Sequence, residues 1–454
     1  MLRKRVEAGN RGWQQARFPP PIPVEPKVIR RRRPAWERAG CGHCMKRNSS
    51  PSDLARPACS PRLWPLDRAV IFLNHGSFGS CPRAVLEHQQ QFRDRLERQP
   101  VQFFVRDLER LLDEARADLA RFLHADATDL VFVPNATAGV NTVLRSLRFR
   151  RGEELLVTDH EYNACRNALD FVARQFGARV VVVTVPFPLR GEAEVLEAVL
   201  GRATKRTRLA LLDHVTSQTG MVLPIGRLVH ELDCRGVDTL VDGAHAPGMV
   251  PLNLRRLGAT YYTGNCHKWL CAPKGAAFLH VRRDRQKTIR PLTISHGANS
   301  ARSDRSRFLI EFGWTGTWDP SAYLSVPLAL RFVGGLVPGG WPAILKHNRH
   351  LALAAQEVLC TALDVVKPCP AEMTGSLASF PLPDSPCRQP PRSPLYLDPL
   401  QERLLSEHGV EVPVIPWPKP PRRLLRISAQ LYNSLPQYQR LARVLPGLLA
   451  AERP

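Results

Sequence analysis

Lys268 lies in the stretch Gly264-Asn265-Cys266-His267-Lys268-Trp269-Leu270-Cys271-Ala272-Pro273-Lys274-Gly275. A lysine flanked by Gly, His and Trp in an apolar run is a poor surface residue. Out of water an ammonium group gives up its proton more readily, and the free amine forms an imine with an aldehyde. Asp242 opens a second stretch, Asp242-Gly-Ala-His245-Ala-Pro-Gly, straight after an apolar run that ends at Val241. A carboxylate there suits a buried cation. A third stretch, Pro134-Asn135-Ala136-Thr137-Ala138-Gly139, has the small and capping residues that open a helix. The free N–H groups and positive dipole end of such a helix suit a phosphate. Each stretch also has a plainer reading, as a loop lysine, a turn aspartate and an ordinary helix cap.

Taken together the three make one demand. A phosphate cradle, then an Asp, then a Lys 26 residues later is what pyridoxal phosphate requires. The phosphate needs N–H donors, the ring nitrogen needs a carboxylate and the aldehyde needs an amine. The elements that position them must alternate. Short apolar, β-branched segments at 130–133, 155–157, 179–185, 209–212, 237–241, 261–263 and 275–281 read as strands. Helical spacing fills 138 onward, 165–176, 192–200 and 225–234, after two earlier helices at 83–99 and 105–124. Strands apolar on both faces indicate a parallel sheet covered by helices. In such a sheet ligands bind beyond the carboxyl ends of the strands, where all three stretches fall. The reading is an α/β fold. A large domain over 68–335 carries a mostly parallel sheet of the seven-stranded type between helices. A smaller C-terminal α+β domain covers 336–454, with helices at 342–363, 400–408 and 436–449 and strands at 376–381 and 424–428.

The chain has 454 residues, of which 44% are hydrophobic, enough for a large core. Its net charge of +23 raises the question of nucleic acid. Residues 1–60 alone hold 14 of the 64 Lys and Arg against 4 of the 41 Asp and Glu, so nearly half of the excess is in one tail. We read residues 1–67, with Pro19 to Pro23 and the run Arg30 to Arg33, as a disordered basic tail. Basic and acidic residues mix over the remainder, which argues against nucleic acid as the partner. Within the tail, Cys41-Gly-His-Cys44 has a metal-like spacing but no second pair, so no metal is expected. Eleven scattered cysteines argue against a disulfide framework and for a reducing, cytoplasmic compartment. No stretch approaches the ~18 uninterrupted apolar residues of a membrane span.

The order of motifs resembles a known family. The motifs are Phe72-Leu-Asn-His-Gly-Ser-Phe-Gly79, Asn135-Ala-Thr137, Asp159-His-Glu-Tyr162, His214-Val-Thr-Ser-Gln-Thr-Gly220, Val241-Asp-Gly-Ala-His245, Tyr262-Thr-Gly-Asn-Cys-His-Lys-Trp269, Trp314-Thr-Gly-Thr317 and Leu425-Arg-Ile-Ser428 with Tyr432-Asn433. Together they resemble the class V aminotransferase family of fold-type I pyridoxal-phosphate enzymes, and within it the isopenicillin N epimerase-like group. The resemblance implies that Lys268 forms the imine and shuttles the Cα proton, and that Asp242 holds the ring nitrogen. It implies His245 at the ring hydroxyl and Tyr162 stacked on the ring. Ala136, Thr137, Asn265 and His267 would reach the phosphate. Thr317 would reach the phosphate of a neighbouring subunit in a homodimer. Asn74 and His75 would line the substrate side, and Arg426 would clamp the carboxylate of an amino-acid-type substrate. The implied reaction is at Cα of an amino acid or its derivative, epimerisation first. Transamination and carbon–sulfur lysis are the alternatives. A competing class is a non-catalytic binding protein that uses its basic tail.

Overall fold

A computed structural model describes residues 54–387, 393, 395 and 397–452. The Cys41–Cys44 pair and most of the basic tail lie outside the described residues. Twelve strands are present among them: β1 (Ile71–Phe72), β2 (Leu130–Val133), β3 (Glu154–Thr158), β4 (Arg179–Val183), β5 (Thr207–Asp213), β6 (Asp238–Asp242), β7 (Tyr261–Asn265), β8 (Ala277–Val281), β9 (Leu377–Leu382), β10 (Val410–Glu411), β11 (Val414–Pro416) and β12 (Arg423–Ser428). Seven of them form the main sheet in the order β2-β8-β7-β6-β5-β3-β4. Only β8 runs against its two neighbours, β2 and β7. The other six strands therefore end on the same edge, and the mostly parallel sheet expected from the apolar strands is present.

Every residue of β3, β7 and β8 is buried, as helices on both faces require. One face packs Leu155, Val157, Leu169, Val172, Leu209 and Leu240 into a core with the helices Ala136–Ser146 and Asn163–Phe176. The other face packs Leu156, Ala210, Leu212 and Val241 against the helices Leu108–Phe122 and Ile225–Cys234. The helix Ala136–Ser146 approaches β7 closely. A Cβ at Gly139 would lie 2.1 Å from Thr263 Oγ1, so only glycine lets the helix start meet the strand end.

A second sheet, in the order β11-β12-β9, is antiparallel throughout and has its own core around Phe380, Leu425, Ile427 and Tyr438. The long helix Gly340–Leu363 packs on this core through Leu351, Ala355 and Leu359. A smaller C-terminal sheet domain thus accompanies the large one.

Three readings need correction. The tail was expected to be disordered to residue 67, but Leu54 is buried in the second core and Trp64 in the first. Trp64 meets Tyr432 edge-on, with ring centroids 5.1 Å apart. The helix expected over 105–124 begins as a π-helical turn, Gln102–Asp107, and regular winding starts at Leu108. Finally, β1, β10 and β11 were missed. Strands of two or three residues leave no alternation to detect. The parallel pair β1–β10 matters here because it ties segment 71–79 to the second sheet's neighbourhood, with Ile71 opposite Val410.

Candidate active site

The carboxyl ends of the parallel strands gather the site. Asp242 is the last residue of β6 and Asn265 the last of β7, and Lys268 follows three positions later. Segment 71–79 crosses Lys268 from the other side. Gly79 takes a φ of +70°, and a Cβ there would lie 2.0 Å from the His267 carbonyl oxygen. A side chain at 79 would therefore displace the lysine's own peptide. Lys274 Nζ donates to the Gly79 carbonyl at 2.9 Å and fixes this crossing. It acts as a loop fastener, separate from Lys268.

Lys268 keeps some accessible surface, as a group that meets a ligand must, but its amine is packed around by protein. Burial first, then the nearby Arg426 charge, lowers its pKa to about 7. Hydrogen bonding agrees. The Trp269 indole N–H, a donor only, meets His245 Nδ1 at 3.4 Å. This assigns the single proton of neutral His245 to Nε2, which lies 3.0 Å from Lys268 Nζ. An Nε2–H can bond Nζ only if the amine offers a lone pair. His245 itself is held well below its ordinary pKa by burial, then by the Lys268 charge. A pH consequence follows. Labelling of Lys268 in the cofactor-free chain by pyridoxal phosphate and borohydride should accelerate with pH up to about 7 and then level off. An amine of ordinary basicity would keep accelerating beyond pH 9 and refute the reading.

Asp242 is buried. Its Oδ1 accepts from the Ala244 N–H at 2.8 Å and its Oδ2 from the Cys165 thiol at 3.2 Å. Burial raises its pKa, while these two bonds and the Lys268 charge pull the other way. Among the described residues no Arg, Lys or His forms an ion pair with it. A carboxylate held here without a cation suits a protonated ring nitrogen.

The helix start at 136 is prepared for an anion only in part. Asn135 Oδ1 caps the Ala138 N–H at 2.8 Å, and Asn265 Oδ1 takes the Ala136 N–H at 2.9 Å. Ala136 thus spends its donor on Asn265, contrary to expectation. The Thr137 N–H and hydroxyl remain, as at any helix start. His267 gives its Nδ1–H to the Ala276 carbonyl at 3.1 Å, and burial and Lys268 depress its pKa to about 4. Thr317 is exposed.

Arg426, on β12, is 3% exposed and has no carboxylate partner among the described residues. Its Nη1 donates to the Ser217 carbonyl at 2.5 Å and its Nη2 to Ser77 Oγ at 2.8 Å. Nε is buried without a partner. Burial pulls its pKa down to about 10. Ser77 in turn donates to Asn74 Oδ1 at 2.5 Å, and Asn74 Nδ2 donates to Glu411 Oε1 at 3.1 Å. Tyr162 is half-buried and within electrostatic reach of Arg426. His75 departs from its expected place on the substrate side. It is 0% exposed, with Nδ1 2.8 Å from the Tyr432 hydroxyl and Nε2 3.1 Å from the Lys268 carbonyl. It holds the Lys268 backbone instead. The sequence motifs contain Ser77, Glu161 and Ser217 but gave them no role, and Asp213 was not singled out. The signal for Asp213 was present, since it is another acidic residue closing an apolar strand.

The family model for class V aminotransferases matches residues 71–388. The chain belongs to the class V aminotransferase family. Its cofactor is pyridoxal 5'-phosphate, and it is an enzyme of that family. Asp242 without a cation and Lys268 as a free amine fit that group. Over 397 residues the chain is 37% identical to an isopenicillin N epimerase from Amycolatopsis lactamdurans, covering 84% of this chain and 96% of that protein. It is 29% identical over 409 residues to an L-cysteine desulfhydrase from Arabidopsis thaliana, covering 84% and 88%. A solved complex between the cystine C-S lyase C-DES and cysteine persulfide superposes with a TM-score of 0.68 at 23% identity, covering 85% and 98%. At that identity the likeness shows the class V fold alone. No helix among the described residues is long and apolar enough to cross a membrane.

Proposed function

We propose that this class V enzyme acts at Cα of an amino acid or amino-acid derivative, in the manner of isopenicillin N epimerase. One observation carries the proposal: the buried Arg426 guanidinium has no carboxylate partner among the described residues and bonds Ser77, in the segment that lies against the Lys268 backbone. A buried unpaired cation is costly, and a substrate carboxylate would compensate it through two parallel bonds. Bound pyridoxal phosphate supplies an aldehyde for amines and a protonated ring that draws electrons from Cα. The chain's residues do the rest. Asp242 holds the ring nitrogen and His245 the ring hydroxyl. Thr137, Asn265 and His267 surround the phosphate, since Ala136 gives its N–H to Asn265. Arg426 fixes the carboxylate, supported by Ser77, Asn74 and Glu411. The buried Lys268 amine, largely uncharged above pH 7, would accept the Cα proton. Tyr162 is the candidate to return a proton on the opposite face. Thr317 serves the partner's phosphate in a homodimer. Nine free cysteines among the described residues support a reducing compartment, which we take to be the cytoplasm.

The relatives named desulfhydrases favour a second reading, carbon–sulfur lysis. Transfer of sulfur through a persulfide needs a thiol beside the carboxylate site, and segment 408–417 has no cysteine. Transamination differs only in where the proton returns. A non-catalytic role is disfavoured because a scaffold has no use for the Lys268–Asp242 pair. The test is a deuterium-exchange screen over L- and D-amino acids, with and without a keto acid. Exchange with inversion is expected. Keto-acid dependence would replace it with transamination, and release of thiol or ammonia with lysis. No exchange on any amino acid would sink the proposal.

A further inference from the structure

Behind Asp242 lie two more carboxyl groups with no use in the mechanism above. Register places Asp213, the last residue of β5, directly beside Asp242. Glu161 comes from the turn before the helix Asn163–Phe176. Its carboxylate, the Cys165 thiol and the Asp242 carboxylate lie within 4.8 Å of one another. Glu161 is 6% exposed and Asp213 2%. Both oxygens of Glu161 and Oδ2 of Asp213 are buried without a side-chain donor, the Tyr162 N–H alone favours the Glu161 carboxylate, and the two carboxyls lie within hydrogen-bonding reach of each other. Two carboxylates in contact have only acceptors to offer each other. A proton between them resolves the contact, turning two orphaned acceptors into one O–H···O⁻ bond.

We propose that Glu161 and Asp213 share one proton, and that the single negative charge they retain helps Asp242 keep the cofactor's ring nitrogen protonated. The inference rests on Asp242 being the partner of that nitrogen. The groups facing the pair are Asp242 on β6, Cys165 on its helix, Lys268 after β7 and, beside Asp242, the Tyr262 phenol. None of them brings a permanent positive charge. Three buried carboxylates beside a neutral amine would repel one another strongly, so one proton must stay. Burial, then the neighbouring carboxylates, drives Glu161 and Asp213 well above the ordinary carboxyl range, and the two titrate as a unit. With the ring nitrogen protonated, the pair and Asp242 face it with two negative charges rather than one.

Infrared spectra of the cofactor-free wild-type chain at pH 8 should show the C=O stretch of a protonated carboxyl, and Glu161→Gln should remove it. No such band in the wild type, or an unchanged band in the variant, overturns the proposal. Binding supplies an independent readout. Glu161→Gln keeps the pair's charge and should bind pyridoxal phosphate as the wild type does. The double variant Glu161→Gln with Asp213→Asn loses that charge and should bind about tenfold more weakly, the size of one pKa unit. Its affinity for the 1-deaza analogue, with C–H in place of the ring nitrogen, should be unchanged. Equal weakening for both ligands would mean a damaged pocket and would overturn the proposal. Asp242→Asn separates the premise. If it too discriminates nothing between the two ligands, the ring-nitrogen role of Asp242 fails, and the pair's part in it falls as well.

Discussion

Replacing Lys268 with alanine removes the violet absorbance of the loaded enzyme, its bleaching by borohydride, and turnover by at least about a thousandfold. The magnitude follows from losing two contributions at once. On the proposed mechanism the amine both holds the cofactor and serves as the base for Cα; a positioned base alone is worth roughly a hundred- to ten-thousandfold. Fold and cofactor affinity should fall far less. Asp242, His245 and the helix start at 136 remain, and among the described residues Lys268 contributes a bond to His245 but no ion pair. Absorbance spectra with and without borohydride, beside single-turnover rates, decide it. A variant that keeps the colour would place the imine on another amine, and Lys274 would be the first to test.

Removing the Arg426 guanidinium has the second largest expected effect. Arg426→Met lowers kcat/KM by roughly a hundredfold or more, in line with the 2–5 kcal/mol lost when one partner of a buried charge pair is deleted. Its stability runs the other way. Without ligand the guanidinium is buried, bonded to Ser217 and Ser77, with no counter-charge among the described residues, so an apolar side chain of similar length should raise stability by about 1 kcal/mol. Thermal melts of the ligand-free protein and steady-state kinetics measure the two effects side by side. Loss of stability without loss of kcat/KM would make Arg426 a structural residue and leave the substrate carboxylate to some other group.

The main features of the site were legible from residue types and order. Asp242 and Lys268 could be found because an apolar strand announces its own end, and a charged residue just past that end faces the ligand edge of a parallel sheet. The helix start at 136 was legible for the same reason. What was not legible depends on contacts between distant parts of the chain. Ser77 meets Arg426 from 349 positions away, and Ser217 meets it from 209. No periodicity joins such residues. His75 sits in a polar motif that suggests a ligand surface, yet Tyr432 and the Lys268 carbonyl enclose it. The donor of Ala136 looked free until Asn265 was seen to take it. The second sheet was read correctly as a smaller unit, but β10 and β1 are so short that only their mutual pairing defines them.

That pairing divides labour between two bodies of side chains. Asp242, His245 and Lys268 hang from the large sheet, whereas Asn74, Ser77, Glu411 and Arg426 belong to strands and turns stitched together by β1–β10 and β12. On the proposed function, chemistry and recognition would therefore reside in separate stretches of chain. On that reading, drift in the second group could change the molecule being held while the first stays intact, which offers one physical reason why this chain is similar in sequence both to isopenicillin N epimerases and to L-cysteine desulfhydrases.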